Sequence, residues 1–303
     1  YRGHRATVVS TSANSREPAM NWIDEGALYS QIGLFLREDL GRGDITTQSI
    51  IIRNTRARAR FVAGENMIVA GLEAAEEVFL TLDSQQQLEA FVSDGEAVES
   101  GKVIARMVGF ADVLISAERV ALNLLQRLSG IATLTNQYVK AVEGTGAVIA
   151  DTRATSPGLR LLERYAVELG GGYNSRFGLD DGVVVTANHI SIVGEVTAAV
   201  RMAKEKLGYL HKIAVEVSNE NEVKDAVKAG ADAVVINDLS SADFARVAAT
   251  ARELSGSVAI ECSGKITPEN VREYADAGAQ LIRVEALTSA APAVDISFRV
   301  QPF

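Results

Sequence analysis

The stretch "GAVIADTRATSPG", residues 146–158, shows the unit from which the second half of the chain is built. Val148-Ile149-Ala150 reads as a short buried strand, Asp151-Thr152-Arg153 as its polar tip, and Ser156-Pro157-Gly158 as a turn. Arginine at a strand tip suggests an anion site, while Ala154 beside it is an inert methyl. Five more such runs follow: "GVVVTANH" (182–189), "KIAVEVS" (212–218), "ADAVVIND" (231–238), "SVAIECSG" (257–264) and "AQLIRVEA" (279–286). Amphipathic helical segments such as "NENEVKDAVKAG" and "SADFARVAATAREL" separate several of them. Short, nearly continuous apolar strands between helices indicate a parallel sheet covered on both faces. Six units favour an α/β barrel over a flat doubly wound sheet. No glycine fingerprint of a dinucleotide or P-loop fold follows the first strand.

Upstream the pattern differs. Residues 22–40 have helical spacing and stop at "GRGD". "QQLEAFVSDGEAVESGKVIARMVG" alternates polar and apolar residues around glycine turns, which predicts antiparallel hairpins. "DVLISAERVALNLLQRLSGIATLTNQYVKAVEG" predicts one long amphipathic helical region. The division expected is a disordered leader over 1–21, an N-terminal α/β sandwich with its helical region over 22–130, and the barrel over 131–303 with a C-terminal return to the sandwich.

A net charge of −9 argues against a nucleic-acid partner, which needs a basic surface. One cysteine, Cys262, and three histidines leave no basis for a disulfide framework or a cysteine- or histidine-based metal site. No apolar run is long enough to span a membrane, and the first 18 residues lack a signal-peptide core. A cytoplasmic location is expected.

In a barrel the strand C-termini form the site. They carry Arg153; Thr186, Asn188 and His189; Glu216 and Ser218; Asn237 and Asp238; Glu261, Cys262 and Ser263; Arg283 and Glu285. Any one of these has an ordinary use in a turn or ion pair. Arg283 and Glu285, two apart, are expected to share a face, and an ion pair between them is the ordinary alternative to a catalytic role for Glu285. Together the strand ends predict a polar pocket.

The motifs "EDLGRGDITT", "DGEAVESGKVIA", "AERVALNLLQRLSGIATLT", "TGAVIADTRATSPGLRLLERYAVELGGGYNSRFGL" and "ANHI" resemble the quinolinate phosphoribosyltransferase family, nearly throughout from Trp22 to Val300. The resemblance implies the type II phosphoribosyltransferase fold: an N-terminal open α/β sandwich plus an incomplete, seven-stranded α/β barrel. It implies transfer of the phosphoribosyl group of PRPP to quinolinate with magnesium, releasing carbon dioxide and pyrophosphate. It also implies a homodimer in which Arg119 enters the partner's site. Carboxylate binding falls to Arg119, Arg153 and Arg176, with Thr152 and His189 beside them; a guanidinium fork suits a carboxylate's two oxygens.

Other positions depart from the family pattern. Ala154 stands for Lys, Ser175 for His, Thr186 and Ala187 for Lys-Asp, Asn237 for Asp, and Lys265 and Glu285 for Gly. Asn237, Ser263 and Gly264 occupy former phosphate or metal positions. This pattern predicts an enzyme moved away from PRPP, without cofactor. It would bind a compact cyclic or aromatic carboxylate in specialised metabolism, as a decarboxylase, lyase or cyclase. Glu216, Lys265, Glu285 and Glu261 are the catalytic candidates, with His189 and Asp181 as secondary acid–base groups; no metal ligand is assigned. The alternatives are the family's own reaction in NAD biosynthesis, with magnesium, and a carboxylate-binding paralogue without catalysis.

Overall fold

The computed structural model describes residues 25–303. The predicted leader and the first three residues of the predicted 22–40 helix lie outside the described residues. The first half runs α1 (Glu25–Leu40), α2 (Ile45–Ile50), β1 (Arg56–Ala63), β2 (Met67–Ile68), α3 (Leu72–Leu82), β3 (Gln87–Ala90), β4 (Ala97–Val98), β5 (Val103–Phe110) and α4 (Ala111–Ala141). The second half begins with β6 (Val148–Ala150), α5 (Arg160–Leu169), β7 (Val183–Val185), α6 (Ala187–Val193), α7 (Val196–Lys206), β8 (Ile213–Val217) and α8 (Glu220–Ala229). It ends with β9 (Ala233–Asn237), α9 (Ser241–Leu254), β10 (Ala259–Ser263), α10 (Val271–Asp276), β11 (Leu281–Arg283), α11 (Ala286–Ser289) and β12 (Ile296–Pro302).

The first half forms an antiparallel sheet ordered β12-β1-β5-β3. Alternate residues of β1, Ala57, Ala59, Phe61 and Ala63, are buried, as a sheet with one covered face requires. Phe61 on β1 and Phe298 on β12 meet at 4.6 Å between ring centres, and Phe79 of α3 stacks on Phe298 at 5.7 Å. The hairpin expectation holds only in part. β3 pairs with β5, while β4 pairs with β2, because Asp94 draws its loop towards α3 by accepting from the N–H groups of Gly71 and Leu72.

The second half is the parallel sheet, ordered β6-β11-β10-β9-β8-β7. A seventh rung is a single parallel bridge from Ala150 to Tyr173. The three glycines before Tyr173 carry no side chains to pack, and no longer strand forms there. The barrel is therefore open between Tyr173 and β7.

α4 joins the halves. Its Ser129 hydroxyl accepts from Ala70 N–H at 3.0 Å and its Thr133 hydroxyl from Ile68 N–H at 2.8 Å. Gly130 lies against the backbone of Pro292 and Ala293, and a methyl there would overlap the Pro292 carbonyl oxygen. Gly130→Ala should therefore destabilise the fold by about 1–3 kcal/mol despite alanine's better helix propensity. Urea unfolding checks this, and an unchanged or raised midpoint would refute the close approach.

Candidate functional site

The C-terminal ends of the parallel strands gather at one mouth. β6 ends in Asp151-Thr152-Arg153, and the loop after α5 brings Arg176 beside it. Arg176 donates to the Gly182 carbonyl at 2.7 Å. Burial, then the nearby charges of Arg153 and Arg283, hold the Arg176 guanidinium below its ordinary pKa, while Glu216 opposes them. Arginines from two loops and β11, and a glutamate from β8, thus act on one another across the mouth.

Both arginine-bearing loops are anchored on buried charge. Asp151 is fully buried, and one of its oxygens accepts from Ser175 N–H at 2.5 Å. Arg164 of α5 lies 3.7 Å from the other oxygen and donates to the Ser175 carbonyl at 2.7 Å. Burial raises the Asp151 carboxyl above its usual range, with the Ser175 hydrogen bonds and then Arg164 opposing. Arg160 and Arg164 also lie over the Phe177 ring, at 5.9 and 5.3 Å. Residues 151 and 175 are pinned together, which brings Arg153 and Arg176, each a step or two further on, near enough for their charges to interact.

A second buried pair fixes the rest of the first loop. Glu163 of α5 accepts from Arg127 of α4 at 2.9 Å, and its other oxygen accepts from Ser156 N–H at 3.0 Å. Arg127 also donates to the carbonyls of Ala291 and Thr288, and the Thr288 hydroxyl donates to the Ala154 carbonyl at 2.8 Å. The sequence reading missed Arg164, Glu163 and Arg127. The available signal was "LLERY", two charges between apolar positions on the buried side of a helix.

The other predicted residues divide. Glu216 and Asn237 line a cavity of about 400 Å³ with Ser218 and Asp238. One Glu216 oxygen is already used by Ala187 N–H at 2.9 Å. Ser263 ends β10, and Gly264 has φ of +138° against the Asp238 backbone, where a side chain would collide. Thr152 accepts from Ala154 N–H at 3.2 Å. His189 is exposed and turned onto Thr186, whose N–H donates to its Nδ1 at 3.1 Å. Lys265 is exposed, and Asp181 accepts from Phe177 N–H in its own loop. Arg119 is exposed on α4, one turn before Asn123, which lines a cleft of about 300 Å³ beside α1.

The predicted Arg283–Glu285 pair is not formed. β11 ends at Arg283, and Glu285 starts α11 with helical backbone angles, so strand alternation no longer relates the two. Arg283 pairs instead with Glu261 on adjacent β10, at 2.6 Å.

Family models match both halves: the N-terminal domain of quinolinate phosphoribosyl transferase over residues 44–129, and its C-terminal domain over 131–299. The chain belongs to the quinolinate phosphoribosyltransferase family. A Bacillus subtilis relative, a probable carboxylating nicotinate-nucleotide pyrophosphorylase, is 40% identical over 266 residues, covering 88% of this chain and 91% of that protein. A Synechocystis relative of the same description is 39% identical over 88% of this chain and 90% of its own. The solved nicotinate-nucleotide pyrophosphorylase of Francisella tularensis superposes with a TM-score of 0.87 at 35% identity, over 93% of this chain and 99% of that one. The type II phosphoribosyltransferase fold is thereby established, and the relatives of this family are enzymes. No described helix is long and apolar enough to cross a membrane.

Asp151→Ala would strip the buried Arg164 of its counter-charge and Ser175 N–H of its acceptor. The expected cost is on the order of 3 kcal/mol, and clearly less for Asp151→Asn, which keeps an acceptor. Chemical denaturation of both variants checks this. Equal costs would show that the Ser175 hydrogen bond contributes nothing.

Proposed function

We propose that this protein carries out its family's own reaction, transfer of phosphoribosyl from PRPP to quinolinate with loss of carbon dioxide. The observation that carries this reading is the arginine cluster. Among the described residues no carboxylate lies within ion-pair distance of Arg153 or Arg176, and burial together with the charges of Arg153 and Arg283 lowers the Arg176 pKa. Such a cluster calls for a compact anion, and quinolinate supplies two carboxylates. The relatives' shared name supports the same chemistry better than the repurposed acid–base reaction expected from the sequence. Most candidates for that reaction are otherwise engaged. Glu261 is paired with Arg283, Glu216 accepts from Ala187 N–H, and His189 is bonded to Thr186.

In this reading Arg153 and Arg176 grip the anionic edge of the substrate and orient the ring nitrogen. The nitrogen lone pair forms a bond to the sugar carbon as the carbon–oxygen bond to diphosphate breaks. The carboxylate beside the nitrogen then leaves as carbon dioxide, and a proton takes its place. The cavity at Glu216, Ser218 and Asp238 receives the phosphoribosyl group. No described group of three or more His, Cys, Asp or Glu is placed to hold a metal ion. Glu216 and Asp238 fit magnesium only as partners of an ion that arrives on the diphosphate, which is its usual mode. There it would neutralise charge on the leaving group. The active unit is a homodimer, with the exposed Arg119 completing the partner's mouth.

A second reading rests on the positions where the resemblance implies Lys, His, Lys and Gly and this chain has Ala154, Ser175, Thr186 and Glu285. It is a carboxylate-binding protein without transfer. Incubation with quinolinate, PRPP and magnesium separates the two. The family reaction yields nicotinate mononucleotide at a turnover approaching the enzyme median of about 10 per second; quinolinate binding with no product supports the second reading. In either case Arg153→Ala or Arg176→Ala should weaken quinolinate binding by more than about 1 kcal/mol in calorimetry. Unchanged affinity in both variants would leave the arginines structural. Light scattering at micromolar concentration should report a dimer, and a monomer that still turns over would overturn the shared site.

A further inference from the structure

Arg283 does not belong to the carboxylate-binding set that the family resemblance supplies, yet the fold delivers it to the same mouth. In β11 Ile282 is fully buried while Leu281 and Arg283 are part-exposed, and in β10 Ile260 and Cys262 are buried while Glu261 and Ser263 are part-exposed. Arg283 and Glu261 therefore share the face opposite the buried residues. Register places Arg283 level with Ala150, three residues before Arg153, and Val284 N–H donates to the Ala150 carbonyl at 2.9 Å. The charge of Arg283 acts on Arg176, adding to burial and Arg153 in holding that guanidinium below its ordinary pKa.

Glu261 meets one terminal nitrogen of Arg283 at 2.6 Å. A guanidinium has five donors in a fixed plane. Here Nε is buried without a hydrogen-bond partner among the described residues, and so is the Glu261 oxygen facing the guanidinium, whose contact is close but poorly aligned. The Arg283 side chain is 19% exposed, so it keeps an opening to the mouth. A half-satisfied buried pair is costly in a closed core and is suited to a site that a ligand completes.

We propose that Arg283, braced by Glu261, is a further anion-binding guanidinium of the mouth and selects a dianionic ring substrate over a monoanionic one. Glu261 is then a positioning residue rather than an acid–base group. Arg153 and Arg176 take one anionic group of the ligand and Arg283 takes the other. The ligand class is a compact aromatic dicarboxylate, which rests on the function proposed above.

The test is calorimetric titration of quinolinate and of nicotinate, its monocarboxylate analogue, into the parent and Arg283→Met. The parent should prefer quinolinate by at least about tenfold. Arg283→Met should lose about tenfold to a hundredfold in quinolinate affinity, as for a charge-assisted hydrogen bond, with little change for nicotinate. Glu261→Gln should erode the preference less, because it loosens Arg283 without removing it. The double variant Glu261→Gln/Arg283→Met, which leaves no orphan carboxylate, replaces the single one if that fails to fold. A preference that survives loss of Arg283 overturns the inference, and with product still formed from PRPP it leaves the proposed function standing. A preference that depends on Arg283 without any product upholds the inference and overturns the function. A parent that binds neither acid overturns both.

Discussion

The ion pair between Arg127 and Glu163 holds together parts of the chain that the rest of the structure must keep in register. Glu163 is wholly buried, and Arg127 reaches it from a helix begun in the other half of the molecule. The remaining donors of Arg127 tie the Ala291 and Thr288 carbonyls, and the second Glu163 oxygen ties Ser156. Every polar atom in this junction has a partner, the condition under which a buried pair is stable rather than a liability. α4, α5, the loop after β6 and the C-terminal segment are consequently tied at one junction. A leucine at either position would fill space but leave the backbone groups around it without partners.

The site is built on this frame by a contrast in satisfaction. Arg127 and Glu163 are saturated, whereas among the described residues Arg153 and Arg176 lack carboxylate partners and Arg283 has only a misaligned one. Cations so close together raise the energy of the empty mouth, and an anion relieves that repulsion as well as forming new bonds. The chain's net charge of −9 opposes anions at long range, so recognition depends on short-range contact, beyond the reach of salt screening.

The barrel was legible because strand and helix periods alternate along it; all six apolar runs named from the sequence contain a strand of the parallel sheet. The motifs singled out Arg153 and Arg176, which the structure places on the loops after β6 and after α5. Pairings that depend on strand order were not. β10 and β11 are neighbours in space, and only that adjacency brings Glu261 to Arg283 across 22 residues of chain. The partnership expected within β11 failed because the strand stops one residue after Ile282, a boundary set by the start of α11. The bond that orients His189, from Thr186 three residues back, is likewise a local choice that composition does not reveal.

The last strand places a constraint on how the molecule comes into being. β12 pairs with β1 from Ala57 opposite Pro302 to Ala63 opposite Ile296, and Phe298 supplies a face of the aromatic cluster on α3. The sheet opened near residue 56 stays incomplete until the entire barrel has been synthesised. While the ribosome is still at work, β1 offers a bare edge and Phe61 and Phe79 lack their third ring, so the N-terminal half waits in an unfinished and adhesive state. Closing that gap joins segments more than 230 residues apart, a long-range pairing of the kind that slows folding.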